Sequence, residues 1–521
     1  MPSAADIVFL ALLGVLVFTP LSVRLLGDAS IGWHIRTGQQ ILAMHSILRV
    51  DPFSSTMVGR PWFAWEWLYD LLVGQLEATM GLNGVVWFTA IVIAAVFAVM
   101  FRLLVIRGAN LLVALIFVLL AVSASTLHFL ARPHVLSWLF TLAWFWILDS
   151  SEQECFGARG GLARRRLWLL PLLMLLWVNV HGGFLLGFAL LGIFWLAAIW
   201  ECRHMRPDRI EEALQRIAAR KRAAQLLWVV LLSAGASLVN PYGWKLHSHI
   251  YSYLSDRFLM DHIEEFQSPN FHGVAQKCFL VLLLAAIAAL VARGRELPLS
   301  HSLTALLAVG SGLYASRNIP ASSILLAMIA APLVRKSLDR QFLTRMTVVD
   351  SGLRGHVWPI LAAILTFCIA ANGGRVGSSR VMDAHFDPRR MPVAAVDFLD
   401  GLVNPRPGPV EQRAFLDRVV VQGPIMSPDY WGGYLIYRLS PKMQVVADDR
   451  HDFYGAEFFK SYLKLMHGEP GSQDFLRLHP AGCVLAPTVS TLATVLAQSG
   501  RWRAIYGDEV ATIFVPDHDL R

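Results

Sequence analysis

About eleven stretches of this chain are apolar enough to be read as crossing a lipid bilayer, and no other feature restricts the fold as strongly. Spanning the hydrocarbon core takes about 20 apolar residues, somewhat fewer where neighbouring helices shield the ends. By that measure spans fall at roughly 6–25, 84–104, 109–125, 133–149, 167–180, 183–200, 224–240, 277–293, 301–315, 319–334 and 357–372. The expected fold class is therefore a polytopic α-helical membrane protein. Composition agrees: 16% of the 521 residues are charged, against roughly a quarter in soluble domains, and the mean hydropathy is +0.51. The net charge of +8 does not point to nucleic acid, because the Lys and Arg residues cluster in short loops between apolar segments, as orientation in a membrane requires. The five cysteines have no paired spacing and imply neither a disulfide framework nor a zinc site. The N-terminal apolar run is too long for a cleavable signal and carries Asp6 in place of a basic leader, so it reads as a first span.

The positive-inside rule assigns a topology. With the N-terminus cytoplasmic, the inside loops are Arg102–Arg107, Arg159–Arg166, Arg203–Arg222, Arg293–Arg295 and Arg335–Arg354, which hold nearly all the basic runs. The outside loops are Asp28–Met80, Ser125–Arg132, a short turn at His181, Asn240–Gln276, Ser316–Pro320 and everything after Asn372. Segment 63–80 is apolar on one face only and carries Glu66, Asp70 and Glu77, poor company for lipid. It is expected to lie on or dip into the membrane, since counting it as a span would put Arg164–Arg166 outside. The mixed-charge run 209–222 reads as a solvated cytoplasmic helix.

The membrane part is thus expected over 1–372, with a first external loop 26–82 carrying surface helices. After Asn372 short apolar clusters (418–426, 443–450, 481–487, 502–516) alternate with helical patterns (394–402, 456–466, 489–500). That alternation argues for a soluble α/β domain over 373–521, closing on a hairpin around Gly507-Asp508.

The outside loops carry unusual polar groups. Asp28 to Asp70 holds Asp28, His34, Arg36, His45, Arg49, Asp51, Arg60, Glu66 and Asp70 among four tryptophans. His34 and His45 are three helical turns apart and share a face if 31–47 is a surface helix, with Ile31, Ile35 and Leu42 on a stripe that rests on lipid. Arg132 and His134 flank Pro133, Asn179 and His181 precede paired glycines, Glu265 sits in the long loop, and Arg317-Asn318 follow an apolar run. Taken singly, each His or Arg has a plain reading as an interfacial anchor, the tryptophans as an aromatic belt, and Asp51-Pro52 as a turn. Together, carboxylates and cations at a lipid boundary suit a lipid-phosphate substrate. Arg and His would neutralise the phosphate, and a carboxylate would deprotonate an acceptor hydroxyl.

A first span followed at once by an acidic residue in a long external loop resembles the GT-C membrane glycosyltransferases, which include oligosaccharyltransferases, protein O-mannosyltransferases and aminoarabinose transferases. The chain is most similar to a bacterial GT-C-like group through D-x-x-x-x-W-H-x-R-x-G (Asp28 to Gly38), D-P-F-S-x-T (Asp51 to Thr56) and G-x-P-W-x-x-x-E-W-L (Gly59 to Leu68). The same holds for W-V-N-x-H-G (Trp177 to Gly182), E-x-x-S-P-x-F (Glu265 to Phe271), R-N-I-P (Arg317 to Pro320), W-G-G-Y-L (Trp431 to Leu435) and D-x-R-x-D-x-Y (Asp448 to Tyr454). The resemblance implies transfer of a sugar from a polyprenyl-phosphate carrier to an extracytoplasmic acceptor, with inversion, in the inner membrane of a bacterium. It implies Asp28 as base or as a ligand of a divalent metal (Mg or Mn), with Glu66 or Asp51 as further catalytic carboxylates. His34, Arg36, Arg132, His181, Glu265, Arg317, Asn318 and Tyr454 become candidates for substrate binding. Where many relatives carry a second acidic residue beside the first, Asp28 is followed by Ala29 and Ser30. The motif around Arg450 fits a catalytic loop or a structural turn with Arg450 bridging carboxylates. A flippase for lipid-linked sugars and a non-catalytic scaffold of an envelope complex are the competing readings.

Overall fold

The computed structural model describes residues 1–153, 164–204, 210–335, 341–353, 355–403, 421 and 423–517. Helices α1 (Ala4–Phe18), α2 (Leu21–Leu25), α3 (Ser30–Met44), α4 (Trp67–Ile106), α5 (Leu111–Ser125), α6 (His134–Gln153), α7 (Leu170–Val178) and α8 (Phe184–His204) form the first half. They are followed by α9 (Ile210–Ser237), α10 (Trp244–Ser255), α11 (Arg257–His262), α12 (Val274–Arg293), α13 (Leu299–Tyr314), α14 (Ile319–Arg335), α15 (Gln341–Gly352) and α16 (Val357–Ala371). Each span expected from the sequence is built mainly of helix, and among the described residues five helices are long and apolar enough to cross a membrane: Trp67–Ile106, Leu111–His128, Phe184–His204, Val274–Glu296 and Ser316–Val334. The run 210–222 is not a separate linker helix but the first turns of α9; residue 209 and loop residues 159–163 lie outside the described residues.

Segment 67–80 is helical and runs into the following apolar helix through Gly81, whose φ of 62° breaks the helical path within α4. It buries Tyr69, Asp70, Val73 and Gly74 against α3. The expectation that 31–47 is a surface helix is corrected here. Helix α3 lies inside the protein, with Ile31, His34, Ile35 and Thr37 at 1% exposure or less, and His45 is its left-handed C-cap rather than a member of one face. Glycine is the reason. A Cβ on Gly38 would stand 1.8 Å from the Asp70 carbonyl oxygen, and one on Gly32 would stand 2.1 Å from that of Gly433. Two glycine crossings thus press α3 between α4 and a helix from the C-terminal segment, leaving no room for lipid.

That segment contains α17 (Val393–Val403), α18 (Asp429–Leu439), α19 (His451–Tyr454), α20 (Ala456–His467), α21 (Ser472–Leu478) and α22 (Thr491–Gln498). A short ribbon pairs β1 (Arg375–Val376) with β2 (Ser379–Arg380). The main sheet contains β3 (Ile425–Met426), β4 (Cys483–Pro487), β5 (Trp502–Gly507) and β6 (Ala511–Pro516), in spatial order β3-β4-β6-β5. β3 runs parallel to β4, and the other pairs are antiparallel. The expected hairpin is β5–β6, turned by Asp508, whose carboxylate accepts the Val510 and Ala511 N–H groups. Of the apolar run 418–426, only 421 and 423–426 are described; the run 443–450 is extended without forming a regular strand.

The first loop is stitched to this sheet. Asp51 accepts the Phe53 and Ser54 N–H groups, which aligns 53–55 so that Ser55 donates to the Val445 carbonyl and Val445 to that of Phe53. Val445 in turn bridges to Ile425 in β3. One apolar core runs from α1 through the membrane-type helices to β6, so the C-terminal segment rests directly on the first loop.

Candidate active site

Asp28, Arg132, Glu265, Arg317 and the first-loop residues Trp62 to Glu66 are far apart in sequence. They meet in one cavity of about 1100 Å³, closed on its other side by Asp429 to Tyr430 and Asp449 to Asp452. Loops assigned to a single face thus converge at one end of the helices.

Asp28 lies between α2 and α3. Its Oδ1 accepts the Ser30 N–H at 2.8 Å, and its Oδ2 takes Arg132 Nη1 at 3.0 Å. The same nitrogen is 2.6 Å from Glu265 Oε1. Burial works against charge on Arg132, but Asp28 and then Glu265 hold it firmly protonated. Burial likewise opposes charge on Glu265, yet Arg132 and Arg317 keep it well below the usual carboxylate range. Arg317 stands 4.9 Å over the Phe266 ring and has no hydrogen-bond or ion-pair partner among the described residues. Arg24 and Arg390 also reach the cavity.

Behind this surface runs a buried polar chain. His34 Nδ1 is 2.5 Å from Asp70 Oδ1, a buried pair that shares one proton and carries no net charge. Burial pushes Asp70 up and pushes His34 down. Glu66 sits between His34 Nε2 at 3.7 Å and His181 Nε2 at 3.8 Å. The tautomer of His181 follows from its neighbours. Trp177, a donor only, gives its Nε1–H to Ser137 Oγ at 2.7 Å; Ser137 therefore donates to His181 Nδ1 at 2.8 Å, as does the Gly183 N–H at 3.0 Å. The imidazole proton is thus on Nε2, facing Glu66. Burial raises Glu66 to about 8 against the pull of Arg132 and Arg317, so it holds a proton at neutral pH.

Other residues singled out from the sequence have different positions. Asp51 and Tyr454 do not line the cavity. They belong to a buried cluster in which Arg450 bonds Asp51 at 2.8 Å and Asp448 at 2.6 Å, while the Tyr454 hydroxyl donates to Asp448 at 2.9 Å. The guanidinium lies 4.6 Å from the Trp62 ring centroid. Arg450 bridging carboxylates in a structural turn is what the motif builds at that position. Arg36 bonds the Tyr437 carbonyl at 2.8 Å and fastens α3 to α18. Asn318 donates to the Ser311 carbonyl and lies off the cavity, while His34 and His181 stand behind it. Asp452 entered the sequence reading only as part of the D-x-R-x-D-x-Y motif, and Asp449, His451, Asp429 and Arg390 were not singled out; the dense run of acidic and basic residues at 448–452 was the available signal.

Among the described residues no three His, Cys, Asp or Glu side chains converge as a metal site. Asp28, the expected ligand, already holds an N–H and a guanidinium. The side chains present do not fit a divalent metal, and no step is routed through one.

No family model matches the chain, and no curated protein matches it in sequence. Its fold, however, is similar to those of solved membrane transferases over nearly the whole chain. It is similar to the archaeal oligosaccharyltransferase AglB from Archaeoglobus fulgidus in complex with an inhibitory peptide and a dolichol-phosphate, with a TM-score of 0.55 and 11% identity over 99% of this chain and 74% of that one. A structure of an Archaeoglobus fulgidus oligosaccharyltransferase with Zn and sulfate gives a TM-score of 0.50 and 10% identity over 98% and 73%. The aminoarabinose transferase ArnT from Cupriavidus metallidurans, in the apo state, gives 0.50 and 12% identity over 99% and 98%.

Proposed function

We propose that this chain is an integral-membrane glycosyltransferase of the GT-C type. It moves a sugar from a polyprenyl-phosphate-linked donor to an acceptor on the extracytoplasmic side of a bacterial inner membrane. In this reading residues 1–372 form the membrane domain, with eleven spans and a cytoplasmic N-terminus, and 373–521 form an extracytoplasmic α/β domain. The observation that carries it is the convergence of Asp28, Arg132, Glu265 and Arg317 in one large cavity beneath the C-terminal segment. The GT-C fold supports it, as does the dolichol-phosphate bound by the archaeal neighbour.

The chemistry follows from the charges. Arg317, with Arg24 and Arg390 nearby, offers the guanidinium groups that suit a phosphate. An acceptor oxygen attacks the anomeric carbon from the side opposite the phosphate, which inverts that centre. Positive charge grows on the sugar as the bond to phosphate breaks. Asp28 has both oxygens engaged, and therefore serves as a fixed anion facing that charge rather than as a mobile base.

The test uses the purified chain in lipid nanodiscs. Wild type should bind undecaprenyl monophosphate and transfer label from a polyprenyl-phosphate sugar pool, and Asp28→Ala should keep its fold and lose transfer. An Asp28→Ala chain as active as wild type, or a wild type blind to polyprenyl phosphate, would sink the proposal.

A further inference from the structure

With Asp28 held by Ser30 and Arg132, the reaction lacks a group to take the acceptor's proton. The first loop supplies none. Asp70 is tied to His34, Asp51 to Arg450, and Glu77 to Gln39 and Tyr437, while Glu66 holds a proton of its own; Glu265, from the loop 240–276, is tied to Arg132. The opposite wall of the cavity belongs to the C-terminal segment, and there Asp449 faces the same space as Asp28.

Two adjacent glycines bring these carboxylates together. A Cβ on Gly433 would stand 2.2 Å from the Ala29 carbonyl oxygen, and one on Gly432 would stand 2.5 Å from Asp448 Cβ. The first turn of α18 is thus a thin spacer, with Ala29-Ser30, next to Asp28, against one glycine and Ala447-Asp448, next to Asp449, against the other. Trp33, one turn into α3, completes the link by donating its Nε1–H to Asp449 Oδ1 at 3.0 Å. Asp448, the neighbour, is consumed by Arg450 and Tyr454. Asp449 keeps its other oxygen free of any protein partner among the described residues and is partly open to the cavity. One oxygen fixed by an indole and one facing the cavity is the geometry of an oriented base.

We propose that Asp449, contributed by the C-terminal segment, is the general base of the transfer: its free oxygen accepts the proton of the acceptor's hydroxyl group while Trp33 holds the carboxylate in place. This rests on the glycosyltransferase reading above. As the acceptor oxygen bonds to the anomeric carbon, its proton passes to Asp449. The bond from that carbon to the phosphate oxygen breaks, and its electron pair stays on the phosphate among the arginines. The acceptor is thereby a hydroxyl compound, and the active centre is complete only when the C-terminal segment is seated on the first loop. Burial, followed by the Asp28 charge, raises Asp449 to about 7 against Arg132, in the range where a carboxylate is a useful base.

The experiment compares wild type, Asp449→Asn, Asp449→Glu and Trp33→Phe as full-length chains in nanodiscs, each read for thermal midpoint, undecaprenyl monophosphate binding and transfer of label from the polyprenyl-phosphate sugar pool. Asp449→Asn should bind the carrier phosphate within about twofold of wild type, with KM for the donor unchanged and kcat lowered by about 100-fold or more. Asp449→Glu should recover part of that loss, and Trp33→Phe should lower kcat less than Asp449→Asn does. Transfer by Asp449→Asn within about threefold of wild type overturns the assignment. So does a parallel fall in stability, binding and transfer that Asp449→Glu does not relieve, because that is the signature of a structural role. A wild-type chain that binds no undecaprenyl monophosphate and transfers nothing removes the transferase reading itself, and is recognised before any variant is compared.

Discussion

The contact between Gly433 and Ala29 offers the most direct test of how the active centre is assembled. Gly433→Ala adds one methyl group. At its ideal position that carbon is 2.2 Å from the Ala29 carbonyl oxygen, 2.7 Å from its carbon and 3.0 Å from the Ser30 nitrogen, where ordinary contact begins near 3.4 Å. All three are backbone atoms and cannot rotate away, so α18 and the start of α3 must part by about 1.2 Å. Overpacking of a rigid contact costs about 3 kcal/mol at the upper end of the usual range. Replacing Gly by Ala inside a helix returns about 1 kcal/mol, leaving a net loss of about 2 kcal/mol. The catalytic penalty should be larger than the stability loss suggests, because a displacement of about 1 Å between reacting groups lowers rates roughly 100-fold. We expect a lower thermal midpoint with carrier-phosphate binding largely kept and transfer nearly lost. Ser at the same position should behave alike, since its Cβ meets the same atoms. A Gly433→Ala chain with wild-type stability and rate would refute the crossing, and with it the account of how Asp28 and Asp449 come to face each other.

Removing Arg450 (Arg450→Ala) leaves Asp51 and Asp448 buried without their cation. The expected loss is about 3–5 kcal/mol, measured by denaturation, with the C-terminal segment released to proteases first; an unchanged midpoint would contradict the buried ion cluster. Arg317→Ala removes a guanidinium whose one contact given among the described residues is the Phe266 ring, so stability should change by less than about 1 kcal/mol. Undecaprenyl monophosphate binding should weaken by about 10- to 100-fold, as loss of a charge-assisted hydrogen bond worth about 1.5–3 kcal/mol implies, and equal affinity would place the phosphate elsewhere. Glu66 is raised by burial from 4.5 to about 8. Its protonation therefore stabilises the fold fully below about pH 4.5, and that contribution, about 5 kcal/mol in total, is lost as pH rises through about 8. Glu66→Gln should flatten the decline in thermal midpoint between those limits, and identical pH profiles for the two chains would show that Glu66 is not the buried acid.

The membrane-type helices were legible because lipid imposes a length and an apolarity that sequence displays directly, and the terminal hairpin because its turn chemistry is local. The GT-C resemblance also rested on local motifs, and the fold agrees with it. Those motifs did not reveal their division of labour. Within D-P-F-S-x-T, Asp51 carries a turn and neutralises Arg450. Within W-H-x-R-x-G, the glycine sets a helix crossing, Arg36 fastens α3 to α18, and His34 is sealed behind the cavity. Helix α3 looked like a surface helix because its buried partners, at Gly74 and Gly433, are distant in the chain, and periodicity records only that a face is apolar, not what covers it. Sequence alone determined that this chain forms helices apolar enough to cross a bilayer and carries acids and arginines in the segments between them. Only the tertiary structure decided which of those charges neutralise one another and which remain free in the cavity, because ion pairing depends on separations such as 3.0 and 2.8 Å between residues up to 399 positions apart.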